Sequence, residues 1–189
     1  MKIKAKEILT PIIVLTLIAA VMAALLGGTN LLTKDKIALL AAENEKLAVS
    51  KVIKADEYTK KEVEYNSTVY SYYEAVLNSA VVGYAFTVSD NGYGGAVSAV
   101  VGIDTIGKIT AVEIIDVSNE TPGLGQNAKN KSFYEQFSGK LGEVSVVKNG
   151  AVNNQINAVT GATITSKAVA NAVNLSFKLY DEIKKEGDK

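Results

Sequence analysis

The spacing of apolar positions changes along this chain, and each change predicts a different element. Ile8 to Leu26 is an unbroken uncharged run of 19 residues. A helix rising 1.5 Å per residue needs about 20 such residues to cross a bilayer, so residues 8–28 read as one transmembrane helix. Pro11 is expected in its first turn, where a missing N–H costs little. From Asn30 to Lys54, Leu32, Leu39, Leu40, Leu47 and Ile53 recur at helical spacing with Ala38, Ala41 and Ala48, and Lys and Glu stand between them. That pattern predicts a helical stalk within residues 29–64. From Tyr65 the texture turns β-rich. Strands are expected over Val69–Val76, Val81–Val88, Ala96–Ile103 and Ile109–Val117, the last two joined by the short connection Asp104–Lys108. Ser132–Phe137 reads as a short helix and Glu143–Lys148 as a further strand. Val169, Val173, Ser176, Tyr180 and Ile183, spaced 4, 3, 4, 3, predict a terminal helix to about Lys185, capped by Thr165 or Ser166. The whole is an α+β chain, with a single N-terminal transmembrane helix followed by a mostly antiparallel sheet packed with helices over residues 65–189.

Charge orients this arrangement. Lys2, Lys4 and Lys6 precede the apolar run, and Lys34 is the first charge after it. The positive-inside rule places residues 1–7 in the cytoplasm and everything after Gly27-Gly28 outside. A cleaved signal peptide is the alternative. The run is long for a signal segment, and Val21-Met22-Ala23 is a mediocre cleavage site. The expectation is therefore an uncleaved single-pass membrane anchor.

Composition removes several chemistries. The sequence has no Cys and no His. Thiolate and imidazole ligands, cysteine nucleophiles, Ser-His-Asp triads and disulfides are all excluded, so no metal site is expected and a redox role needs an organic cofactor. All 20 basic residues are lysine, against 20 acidic ones. A bidentate arginine clamp on phosphate is unavailable, and no basic stripe with interleaved aromatics suggests nucleic acid.

Three glycine-bearing segments carry the candidate chemistry. Gly92-Tyr93-Gly94-Gly95-Ala96 reads as a loop between strands, and its adjacent glycines also permit close backbone approach to a flat ligand. Glu120-Thr121-Pro122-Gly123-Leu124-Gly125 has Pro then Gly, the order a type II turn favours. Val159-Thr160-Gly161-Ala162-Thr163-Ile164-Thr165-Ser166 enters the terminal helix, whose N-terminus offers N–H groups and a positive dipole end suited to a phosphate.

In their order along the chain these motifs resemble the FMN-binding domain family, shared by the G subunit of the Rnf electron transport complex and the C subunit of the sodium-pumping NADH–quinone reductase. The length is closer to that of the Rnf protein. The resemblance implies FMN held covalently through a phosphoester to Thr163, with Thr160 and Thr165 as fallback hydroxyls and Gly161, Ala162 and Ser166 completing the motif. It places Glu120, Thr121, Pro122, Gly123, Leu124 and Gly125 against the flavin, with Tyr93, Gly94 and Gly95 beside them. It also implies a flavin transferase for maturation, and membrane partners in the other Rnf subunits. By the same resemblance those partners are expected to pass electrons between reduced ferredoxin and NAD while moving Na⁺ or H⁺. The chain departs from the family pattern in three places: Ala96 replaces a proline, Ser118 and Asn119 stand where a histidine is common, and Asn157 replaces the aspartate that flavin transferases favour. A stand-alone membrane-tethered flavoprotein and a non-redox binding or sensor module are the other readings the sequence admits.

Overall fold

The structure, a computed structural model, describes residues 5–187. It divides into two compact units, Met1–Glu43 and Asn44–Lys189. The described part of the first unit is helix alone, the beginning of α1 (Ala5–Val52). From Ile8 this helix is long and apolar enough to cross a membrane, with mean hydropathy 2.7 in its most apolar window and none of that window buried. Ile12, Leu15, Leu25 and Leu26 stand exposed, as a lipid-facing surface requires. The hydroxyls of Thr29 and Thr33 donate back to the carbonyls of Leu25 and Thr29 at 2.8 and 2.9 Å, which masks their polarity within the helix. Pro11 sits inside the helix rather than in its first turn, because the helix already runs from Ala5. The lysines used above for orientation, Lys2 and Lys4, lie outside the described residues, as do Asp188 and Lys189.

The second unit is built on a meander. Strands β1 (Glu57–Tyr65), β2 (Thr68–Leu77), β3 (Ala80–Asn91), β4 (Ala96–Asp104) and β5 (Ile109–Asp116) lie in sequence order in one antiparallel sheet. Two of its turns are alike. Asn66-Ser67 and Asn78-Ser79 have positive φ at both residues, the requirement of a two-residue hairpin matched to strand twist. Alternation along the strands sorts side chains to two faces. Tyr84, Phe86, Val101, Ile103 and Ile114 face α3 (Thr163–Gly187), which packs with Val169, Val173, Leu179 and Tyr180. Tyr73, Ala75, Ala85 and Val100 face Ala48, Val49, Val52 and Ile53 at the end of α1. There the Thr110 hydroxyl donates to the Val52 carbonyl at 2.5 Å and the Tyr58 hydroxyl to that of Ile53 at 2.8 Å, satisfying carbonyls a helix end leaves open.

The predicted strands and helices are all present, with two corrections. The helix expected from Asn30 to Lys54 ends at Val52, and the stalk range to residue 64 also takes in strand β1 (Glu57–Tyr65), which pairs with β2 along its full length. Only Val63 of that strand is buried, and Lys60-Lys61-Glu62 keep the outer edge charged. An edge strand protected this way carries little apolar alternation to detect. Thr165 and Ser166 do not cap α3. The helix begins at Thr163, so both lie inside its first turn. The remaining chain adds α2 (Lys131–Tyr134), a 3-10 turn (Glu135–Phe137), and the short parallel pair β6 (Ser145–Val147) and β7 (Gln155–Asn157). Strand β7 has only three residues, too few to read as a periodicity.

Candidate functional site

At one end of the sheet the chain forms a cleft of about 520 Å³. The β3–β4 loop contributes Tyr93, the loop after β5 contributes Glu120, Thr121, Leu124 and Gly125, and the start of α3 contributes Gly161 to Thr165. The meander explains the meeting. The end of β3 pairs with the start of β4, and Ser98 of β4 pairs with Asp116 at the end of β5, so both loops leave the sheet at one edge.

Two turns face each other there. Leu124 N–H donates to the Thr121 carbonyl at 3.1 Å, with Gly123 at φ +75°. Ala162 N–H donates to the Val159 carbonyl at 2.9 Å, with Gly161 at φ +75°. Positive φ at the third residue is the type II requirement, and Pro122 presets the second residue of the first turn. A Cβ on Gly161 would come within 2.9 Å of Leu124 Cδ2, so the turns touch where the glycine leaves room.

Glu120 ties the three segments together. It is 2% exposed. Its Oε1 accepts from Gly94 N–H at 3.0 Å and its Oε2 accepts from the Thr165 hydroxyl at 2.6 Å. A Cβ on Gly92 would run into Oε1, and one on Gly125 would run into Oε2. Gly94 and Gly95 close instead on Asn119. These glycines therefore let the chain approach itself. Of the β3–β4 loop, Tyr93 lines the cleft, whereas Gly94 and Gly95 do not.

The hydroxyls around the third motif differ sharply in access. Thr163 is half-buried and lines the cleft. Thr165 is 1% exposed and committed to Glu120. Ser166 is fully buried; its Oγ donates to the Ala162 carbonyl and accepts from Val159 N–H, each at 2.9 Å. Thr160 is exposed and lines a neighbouring cleft. Pro122 and Gly123 shape their turn without lining the site. Ile164 was not singled out from sequence, yet it lines the cleft, and with Tyr93 and Leu124 it makes an exposed apolar rim. Its signal was a large apolar residue off the 4-3-4-3 inward stripe of α3.

The neighbouring cleft, about 400 Å³, lies against Thr160 and is lined by carboxamides from Asn127, Asn130, Gln136 and Asn157. Gln136 grips the backbone of Asn157: its Oε1 accepts from Asn157 N–H at 2.8 Å and its Nε2 donates to the Asn157 carbonyl at 3.2 Å. Nε2 also donates to the Phe133 carbonyl at 3.2 Å. Asn157 Oδ1 accepts from Ala151 N–H at 3.0 Å, and Asn127 Nδ2 donates to the Gly123 carbonyl at 2.7 Å.

Residues 92–178 match the FMN-binding domain family. The chain is 36% identical over 191 residues to the G subunit of the Na⁺-translocating ferredoxin:NAD⁺ oxidoreductase complex of Acetobacterium woodii, with 92% of this chain and 91% of that protein covered. It is 41% identical over 103 residues to the G subunit of the proton-translocating ferredoxin:NAD⁺ oxidoreductase complex of Clostridium ljungdahlii, covering 54% and 55%. The crystal structure of the C subunit of the Na⁺-translocating NADH-quinone reductase from Parabacteroides distasonis aligns with a TM-score of 0.55 at 22% identity, covering 74% of this chain and 82% of that one. That likeness is one of fold.

Proposed function

Since the chain belongs to the G-subunit family of ion-translocating oxidoreductase complexes, with their FMN-binding domain, we propose that it is an electron-carrying subunit that holds FMN covalently at Thr163. The observation that carries this reading is the access pattern of the hydroxyls. Thr163 opens onto the cleft, while Thr165 and Ser166 are buried and bonded.

The residues present suit the group. A volume near 520 Å³ lies in the range of cofactor sites. Tyr93, Leu124 and Ile164 offer apolar surface for a flat ring. Thr163 is the first residue of α3, and the first N–H groups of a helix have no partner within it, which favours a phosphate there. Bound FMN supplies reversible uptake of electrons. The protein's part is placement and electrostatics. Gly161 and Ala162 leave room beside the acceptor, and the Thr121–Leu124 turn forms the opposite wall.

The apolar helix anchors this unit to the membrane, the lysines before it orienting the domain outside the cell membrane of a bacterium. Outside the cell a non-covalent FMN would be diluted away, whereas a bond keeps its local concentration fixed. The partners are then the other subunits of an Rnf-type ferredoxin:NAD oxidoreductase, and a flavin transferase installs the cofactor. The relatives' names include both a Na⁺ and a proton translocator.

Thr163→Ala tests the acceptor. In native membranes it is expected to abolish the fluorescent flavin band on a denaturing gel and the added FMN mass, while Thr165→Ala retains both. A band that survives Thr163→Ala removes the assignment.

A further inference from the structure

Glu120 does more than a latch requires. Gly94 N–H and the Thr165 hydroxyl are both neutral donors to it. A glutamine of the same shape would serve them equally. Its carbonyl would accept from Gly94, and its amide would donate to Thr165, whose hydroxyl also accepts. The chain instead keeps a carboxylate there, 2% exposed and in the wall of the cleft that holds Thr163. Among the described residues the ion pairs are Lys51–Glu113, Lys61–Glu74 and Lys185–Glu182, so no lysine is paired with it. The backbones of Gly92 and Gly125 close on its two oxygens. Burying an unpaired charge costs free energy that a neutral isostere would not. The choice of a carboxyl group, where an amide would make the same hydrogen bonds, is the feature that needs a function.

We infer that Glu120 sets how readily the flavin in this cleft is reduced, by fixing an unpaired negative charge in its wall. The inference rests on the preceding proposal that FMN occupies the cleft. A flavin gains negative charge as electrons arrive, and a fixed anion in a poorly solvated wall opposes that gain more strongly than it would in water. Glu120 acts through the field and through the position of its neighbours, so it is a positioning residue and not a catalytic one.

The test is a redox titration of the full chain in native membranes, followed by flavin absorbance. Dithionite is oxidised to sulfite and delivers two electrons per flavin, with protons drawn from water. Glu120→Gln removes the charge and keeps both hydrogen bonds. It is expected to move the midpoint potential to a more positive value at unchanged flavin content. Glu120→Asp keeps the charge and should return the potential most of the way to wild type. An unchanged potential in flavin-loaded Glu120→Gln overturns the inference. Equal shifts in both variants overturn it too, since packing alone would then explain them. Should Glu120→Gln not accumulate, Thr121→Lys carries the test. Thr121 is exposed and holds its turn through its backbone carbonyl. A cation there should raise the potential, and no rise overturns the inference. If wild-type protein carries no flavin, the proposed function fails instead.

Discussion

The two clefts on either side of the Val159–Ala162 turn are similar in size and opposite in character. The one lined by carboxamides is the more polar, and at first sight the better ligand site. Its carboxamides are largely spent on the protein. Gln136 makes three hydrogen bonds to backbone, Asn157 receives Ala151, and Asn127 holds Gly123. The other cleft presents an apolar rim and one half-buried hydroxyl, that of Thr163. A binding site is marked by groups left available, so polar lining by itself says little. The first cleft is a brace that fixes the turn, and the second is where the turn presents Thr163.

The largest effect separating them is expected from Gln136→Leu. The side chain is nearly isosteric and loses all three bonds, leaving the partly buried backbone of Asn157 unpaired. At roughly 1 kcal/mol per bond, the unit should lose about 3 kcal/mol of stability. Chemical denaturation measures this directly. Under the proposed attachment of FMN to Thr163, the folded fraction should still bear flavin, because the acceptor cleft is untouched. If Gln136→Leu removes flavin from folded protein without lowering stability, the carboxamide cleft is a ligand site and the contrast is reversed.

Gly161→Ala acts on the turn shared by both clefts. At φ +75° an alanine costs about 1–2 kcal/mol, and its Cβ meets Leu124 Cδ2 at 2.9 Å. A stability loss of about 2 kcal/mol is expected, smaller than for Gln136→Leu. The flavin fluorescence anisotropy should fall as Leu124 is displaced from the rim. Unchanged anisotropy would mean that the Thr121–Leu124 wall does not hold the ring.

These variants also mark where sequence stops being informative. The sheet strands and both main helices were legible because alternation and helical spacing are local properties. Strand β1 was not, since it buries only Val63 and spends its other positions on an exposed edge. The three motifs could be recognised as loops, but not what fills them. Glu120 meets Thr165 across 45 positions and Gly94 across 26, and the glycines around it are needed only once that carboxylate is in place. Thr165 and Ser166 look like helix caps in sequence. Burial and partners make one a prop for Glu120 and the other a clip on Val159. Such roles depend on pairings between distant segments, which no window along the chain contains.

The smallest expected effect is the most selective. Asn157→Asp introduces the residue type that the family resemblance assigns to recognition by the proposed flavin transferase, at a position whose Oδ1 already accepts from Ala151 N–H at 3.0 Å. An aspartate can accept the same bond, and Gln136 holds the backbone of residue 157 and not its side chain. Stability should therefore change by less than about 0.5 kcal/mol, as for other substitutions that leave partners intact. The fraction of chains carrying flavin should rise when the transferase is limiting. Stability and modification thus respond separately at one residue of the brace. If Asn157→Asp instead lowers stability as much as Gln136→Leu, the side chain itself is part of the brace. The departure from the family pattern would then be a packing requirement of this chain rather than a weakening of its recognition by the transferase.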